Sequence, residues 1–349
     1  MKFFLYLLLL CSFFSCSKNK ENNNMLNLFT EQHNIIPNEM TLEFDSIRNP
    51  YMISCVNQNI ILADIFQPTF MTAFDEKSGK CIGNFLTKGN GPNEFVHLSS
   101  MQKVGKKLFL WDSGKSNIAI IEINKDTIEN YRCRFIPINQ DSIFISAFQV
   151  FPLGEDYFIS SGVIKGHRFA ILDKKGKPIT LFGKYPESDS RKEKSDIELA
   201  LSNQCSYAYQ PEKQILAVAN GMGENIQFYD LTNKMTPQLI KEYNFSAPKY
   251  KMDGEGSVIY QKENIIGFTE LLSHSNYCIG FFSGETLKGP NGYGSNKLLF
   301  FDWTGNPIKE INFKDTYSNI TMNEEENIVY LLGKDSQTDD FKIYTITIE

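Results

Sequence analysis

The sequence predicts an all-β chain folded as a six-bladed β-propeller, each blade a four-stranded antiparallel sheet, with the ring closed by an N-terminal strand. Three observations predict it. First, residues 107–123, KLFLWDSGKSNIAIIEI, read as a strand, a turn and a strand. Leu108, Phe109, Leu110 and Trp111 form an apolar run suited to burial on both faces. Asp112, Ser113 and Gly114 break it with turn residues, and Ile118, Ile120 and Ile121 resume it with β-branched ones. Second, this unit recurs at a period of roughly 50 to 60 residues, the spacing of propeller blades. Third, the last unit lacks its fourth strand, whereas residues 40–44 supply an extra alternating strand before the first unit.

Taken in order, the first strand of the unit returns at 60–64, 156–160, 214–218, 277–281 and 328–332. The second returns at 69–74, 168–172, 226–229, 297–301 and 341–347. Turns rich in Asp, Lys, Ser and Gly follow, as at 75–79, 124–126, 173–176, 230–234 and 302–307. A third strand comes next, at 80–86, 128–135, 178–182, 238–245 and 307–313. One more strand precedes each unit, as at 98–104, 145–153 or 318–322. A lone blade of this kind has two apolar faces, and a ring of six buries each face against a neighbour. Borrowing 40–44 to complete the last blade removes the free edges that invite aggregation. A pair of β-sandwiches is the competing reading of short strands and frequent turns.

With 349 residues, 42% of them hydrophobic and 28 of them Phe, the chain has ample material for such a core. A net charge of -6 and the absence of a basic stripe argue against nucleic acid as a partner.

Residues 1–16 read as a targeting segment. Lys2 gives the positive start, 3–10 the apolar stretch, and Ser15 places a small residue before Cys16. This resembles a bacterial lipoprotein signal, which implies acylation of Cys16 and a membrane held through an N-terminal lipid. Phe13 departs from the Leu usual in such signals, and Cys11 is a rival preceded by a poor cleavage residue, Leu10. An ordinary secretory peptide is the alternative. Residues 17–37 are expected to be a flexible tether and 38–349 the propeller. With Glu21 as the one acidic residue close behind the cysteine, the periplasmic side and the cell surface both stay open. Cys55, Cys81, Cys133, Cys205 and Cys278 are odd in number and show no CxxC or zinc spacing, so buried free thiols are expected, with a disulfide in an oxidising compartment as the alternative.

Strand parity selects a working face. Antiparallel strands alternate direction, so turns after the innermost and third strands share one side of the ring, and those after the second and fourth share the other. The first set is short. The second includes long or unusual segments at 87–94, 112–117, 184–203, 247–264 and 283–296. Long loops on a rigid scaffold usually carry binding, and a central channel opening there is the default pocket.

The sharpest motif is GNGPNEF, 89–95. Gly89 and Gly91 permit positive φ, Pro92 fixes the next step, Glu94 can accept backbone N–H bonds, and Phe95 can anchor the loop. It serves either as a rigid connector between blades or, with Glu94, as part of a ligand rim. It is not a phosphate-binding signature. Together with the signal and the six units, it resembles the TolB-like six-bladed propeller lipoproteins of Bacteroidetes-type bacteria, and 108–123 is similar to NHL-type repeats. The resemblance implies the fold and an envelope location, and carries no catalytic residues with it.

Further rim candidates are Asp64 and Asp112, which end equivalent strands, His97 and Tyr293. The two aspartates are candidates for a calcium ion at the channel mouth, since oxygen ligands suit it, but Asp also caps turns through its own following backbone. Asn220 holds the equivalent position in its blade. The segment 184–203 is either a short helix on the face or a solvated loop, and 284–294 a mobile lid with Tyr293 at its tip or a plain insertion. No GxSxG, HExxH or nucleophile–base spacing occurs. The expected function is therefore binding of a protein, peptide or glycan by an envelope lipoprotein, without a cofactor. The alternative is a metal-dependent, lactonase-like propeller hydrolase or lyase.

Overall fold

The computed structural model of the protein describes residues 24–348 apart from 44–47, 126–127, 129–130, 139–143, 187–193, 290–291 and 336. The expected signal and Cys16 lie outside the described residues. A 3-10 turn, Met25–Leu28, leads into β1 (Gln32–Asn34) and β2 (Asn38–Met40). Blade 1 is β3 (Pro50–Val56), β4 (Asn59–Asp64), β5 (Thr69–Asp75) and β6 (Cys81–Thr87). Blade 2 is β7 (Leu98–Val104), β8 (Lys107–Asp112), β9 (Asn117–Glu122) and β10 (Cys133–Pro137). Blade 3 is β11 (Phe144–Leu153), β12 (Tyr157–Ile164), β13 (His167–Asp173) and β14 (Pro178–Phe182). Helix α1 (Asp196–Ser202) precedes blade 4, which is β15 (Cys205–Gln210), β16 (Ile215–Asn220), β17 (Glu224–Asp230) and β18 (Gln238–Ser246). A hairpin, β19 (Tyr250–Met252) and β20 (Val258–Tyr260), stands between blades 4 and 5.

Blade 5 opens with β21 (Phe268–Ser273), β22 (Tyr277–Phe282) and β23 (Ser295–Asp302). Its outer strand, β24 (Pro307–Asn323), does not stop. The same strand pairs β23 through Leu298↔Ile311 and then β25 (Ile328–Lys334) through Thr321↔Tyr330, so it also becomes the inner strand of blade 6. The two separate strands expected at 307–313 and 318–322 are thus one. No Gly or Pro falls between Phe313 and Tyr317 to break it. Blade 6 continues with β26 (Phe341–Thr347).

Burial follows the ring. All six residues of β4 are buried, and β8 has five buried residues of six, because these middle strands are covered on both faces. The outer strand β18 has no buried residue. Each pair of neighbouring blades shares one apolar cluster. Phe109 and Trp111 meet Phe158 and Leu172 between blades 2 and 3. At the seam, Ile53, Leu62 and Phe74 of blade 1 pack on Tyr330, Leu332 and Ile343 of blade 6. The seam is also hydrogen-bonded: the Tyr330 hydroxyl donates to Glu76 Oε1, Asn323 Nδ2 donates to the same oxygen at 2.7 Å, and Cys55 N donates to Thr321 Oγ1 at 2.9 Å.

The N-terminal strand closes the ring, with its pairing shifted upstream. The strand that pairs near Tyr344 is Asn38–Met40, with Glu39↔Tyr344 and Met40↔Ile343, not 40–44. Leu42 is outside the strand, although it packs with Met40 on the seam cluster; Phe44 lies outside the described residues. The chain leaves β26 early because it crosses to blade 1, where Glu43 N donates to Gly79 O at 2.9 Å. The expected tether is corrected over residues 24–37, while 17–23 lie outside the described residues. Met25 and Phe29 are buried between blades 4 and 5 against Phe228, Phe268 and Trp303, and β1 runs parallel to β24 through His33↔Ile311. Apolar side chains at 25, 26, 28 and 29 account for this docking: burying the Met25 and Phe29 side chains stabilises by about 1.5–3 kcal/mol each, and Leu26 and Leu28 are partly buried beside them.

Gly79 marks the crossing. Its φ is +69°, and a Cβ there would stand 2.0 Å from Thr41 O. Gly79→Ala is therefore expected to cost about 1–3 kcal/mol in a denaturant titration, from backbone strain and displacement of 41–43. An unchanged midpoint would show that this segment shifts freely.

The five cysteines are free, with Cys55, Cys205 and Cys278 buried. Among the described residues no helix is long and apolar enough to cross a membrane.

Candidate functional site

The two faces of the ring differ as parity requires. On one, innermost and second strands join through tight turns such as Asn57-Gln58 and Gly105-Lys106. The other carries the elaborations. Helix α1 is capped by Ser195, whose Oγ accepts from Glu198 N at 3.2 Å, and it packs on β12. The β19–β20 hairpin holds it down: Tyr250 donates to Glu198 Oε1 at 3.0 Å, and Tyr260 donates to Leu201 O at 3.2 Å. The segment 184–203 thus supplies a short helix on the face. The glycine-rich segment after β22 is strapped to the same region by Leu287 N donating to Asn264 O at 3.0 Å.

Two cavities open within the ring. The central channel, about 430 Å³, is lined by the innermost strands of all six blades, with Ser54, Gln102, Thr269 and Asn319 among its polar groups. Glu270 faces it. Burial pushes the Glu270 carboxyl up to about 7 from 4.5, against hydrogen bonds from Leu271 N and the Gln102 side chain. Toward the tight-turn end, Lys103 donates to Met322 O at 2.5 Å, and burial pushes its ammonium down. Glu270 gives a pH prediction. Between pH 4.5 and 7 the folded protein holds a proton that the unfolded chain has released, so its contribution falls as pH rises and is lowest above 7. Glu270→Gln is expected to flatten the stability profile across that window and raise the denaturation midpoint at pH 8. Parallel profiles for the two proteins would place Glu270 in open solvent.

The second cavity, about 370 Å³, opens on the long-loop face between blades 2, 3 and 4. Ser99, Ser113, Ser146, Ser161 and Tyr185 line it beside Arg168. Arg168 is the second residue of β13 and is 1% exposed. Its Nη1 donates to Gln227 Oε1 at 2.6 Å and its Nη2 to Asn220 Oδ1, while Nε has no partner. The Phe169 and Tyr185 rings stand 4.8 and 5.9 Å from its Cζ. Asn220 in turn donates to Asn203 Oδ1 at 3.0 Å, tying the guanidinium to the end of α1.

The rim candidates fall in three groups. Asp64 and Asp112, the candidates for a cation, spend their oxygens on backbone donors. Asp64 accepts from the amides of Arg48, Asn49 and Phe66, and Asp112 from those of Val96, His97, Gly114 and Lys115. Among the described residues no group of three or more His, Cys, Asp or Glu side chains is placed to hold a metal ion. These aspartates fasten the chain entering each blade to the end of its second strand.

The glycine motif is a connector built tightly around one carboxylate. Gly91 N donates to Glu94 Oε2 at 2.7 Å, and a Cβ on Gly89 would stand 2.2 Å from that oxygen. Lys115 Nζ ties down Gly91 O and Glu94 O at 2.7 and 2.6 Å, Phe95 is fully buried, and Pro92 is exposed.

His97 and Tyr293 are exposed on the long-loop face. His97 adjoins the second cavity, its Nδ1 2.7 Å from Ser113 Oγ and 3.0 Å from Ser99 Oγ. Sequence reasoning missed Arg168 altogether. The available signal was an arginine set in an otherwise apolar strand pattern, RFAIL, at its long-loop end.

Two of the solved structures to which this chain is similar illustrate the shared architecture. One is a member of the DUF4221 family from Bacteroides vulgatus, with a TM-score of 0.53 and 12% identity, covering 89% of this chain and 96% of its own. The other is a protein of Bacteroides fragilis that is thought to be exported, with a TM-score of 0.52 and 10% identity, covering 91% of this chain and 99% of its own. At these identities the likeness is one of fold. No curated protein matches the sequence. The family model described as TolB-like 6-blade propeller-like matches residues 30–325, which takes in five whole blades and the crossing into the sixth. The chain accordingly belongs to the TolB-like six-bladed propeller family.

Proposed function

We propose that this chain is a lipid-anchored protein of the bacterial cell envelope whose propeller binds a protein, peptide or glycan through its long-loop face, without catalysing a reaction. The observation that carries this reading is the asymmetry of the ring. Tight turns close one side, whereas α1, the β19–β20 hairpin and the strapped glycine segment are held together on the other, where a polar cavity opens beside α1. Loops elaborated on one face of a rigid scaffold are the usual form of a recognition surface. The envelope location draws on the signal-like residues 1–16 and on the similar B. fragilis protein that is thought to be exported.

The test is site-specific photo-crosslinking in intact bacterial cells. A photoreactive residue at Tyr293 or His97 is expected to give discrete adducts, and one at Lys106 or Glu326, on the tight-turn side, to give none. Adducts on the tight-turn side alone overturn the choice of face. In the same cells Cys16→Ser is expected to move the protein from the membrane to the soluble fraction.

A further inference from the structure

We infer that the cavity at Arg168 is a binding site for a small hydroxylated oxyanion, such as an acidic sugar or a sugar phosphate. This deepens the binding reading above and rests on it. A guanidinium stays protonated in a protein and is costly to bury unless it is paired. Arg168 is 1% exposed, yet its hydrogen-bond partners are the neutral amides of Gln227 and Asn220, and its Nε–H has none. Among the described residues no carboxylate forms an ion pair with it.

The position of Asn220 sharpens the point. It ends the second strand of blade 4, where blades 1 and 2 carry Asp64 and Asp112. An aspartate there would stand against the guanidinium and neutralise it. The chain instead has the isosteric neutral amide, which orients Arg168 and leaves its charge available. Two amide oxygens and two aromatic rings fix the fork, and this preorganisation lowers the entropic cost of holding an oxyanion.

The rest of the cavity matches such a ligand. Ser99, Ser113, Ser146 and Ser161 supply hydroxyls, and Gln149, which borders both cavities, has a buried Oε1 without a partner. An unpaired donor on a cation together with an unpaired acceptor fits a molecule bearing an anionic group and a hydroxyl. The volume of about 370 Å³ lies in the range of small-molecule sites.

The experiment is calorimetric titration of the purified full chain with galacturonate and with glucose 6-phosphate, with glucose and inorganic phosphate as controls. At least one of the two anionic sugars is expected to bind, and glucose at least about tenfold more weakly, as charge-assisted hydrogen bonds predict. The two arms separate a carboxylate from a phosphate source. Arg168→Met is expected to fold, since it removes a buried charge, and to weaken binding about tenfold to hundredfold. Asn220→Asp is expected to fold and to lose the anion by supplying an internal one. If Arg168→Met does not fold, Asn220→Asp decides. Failure of both anionic sugars to bind, or binding unchanged in the folded variants, overturns the inference. Crosslinks at Tyr293 without anion binding would sink this inference and leave the broader one standing.

Discussion

A chain that begins at residue 44 is expected to lose at least about 5 kcal/mol of stability, the largest effect foreseen for this protein. Three losses combine. Met25 and Phe29 leave the cluster between blades 4 and 5, where Phe29 meets the Phe301 ring edge-on at 5.3 Å. Core truncations of Met and Phe each cost about 2–5 kcal/mol. Strand β2 leaves β26, which exposes an edge, and the link from Glu43 to blade 1 is cut. Against a typical total of about 5–15 kcal/mol, the truncated ring is marginal, and its free edge is a site for association. Guanidinium titration and size-exclusion chromatography check this. A truncated chain that stays monomeric with an unchanged midpoint would show that the ring holds without its N-terminal segment.

Trp111→Ala is expected to cost about 3–5 kcal/mol. Trp111 is 1% exposed and fills the junction between blades 2 and 3, and its Nε1 donates to Phe148 O at 3.1 Å on the neighbouring blade. The substitution removes the ring and leaves that carbonyl without its donor. Trp111→Phe separates the two effects and should cost about 1–2 kcal/mol for the hydrogen bond and the residual void. Equal losses for both variants would mean that the hydrogen bond, not the packing, dominates the junction.

Both predictions touch features that differ in how far the sequence revealed them. Trp111 lies in an apolar run bounded by Asp112-Ser113-Gly114, and that local pattern implies a strand buried on both faces. The same reasoning located the blades, their turns and the long-loop face, because strand patterning and turn chemistry act between residues close in the chain. The closing strand was legible as a requirement of the ring. Its register was not: Met40 and Leu42 both suit the seam, and only the crossing of Glu43 to Gly79 ends the pairing at Met40. The docking of Met25 and Phe29 was hidden by the polar residues before them, which suggest a tether.

The candidate site was legible as a face and not as residues. Asp64 and Asp112 looked like ligands because carboxylates at strand ends suit a cation, and the structure spends them on backbone amides. Arg168 looked like the first residue of a strand. Its partners Asn220 and Gln227 are 52 and 59 residues away on the next blade.

By itself, then, the sequence determined the number of blades, the side on which the long loops gather and the need for an N-terminal strand, since each follows from short-range pattern repeated along the chain. Tertiary structure alone decided which charges are neutralised and which are left unmatched. That depends on side chains brought together across a blade junction, a proximity to which no periodicity in the sequence is sensitive.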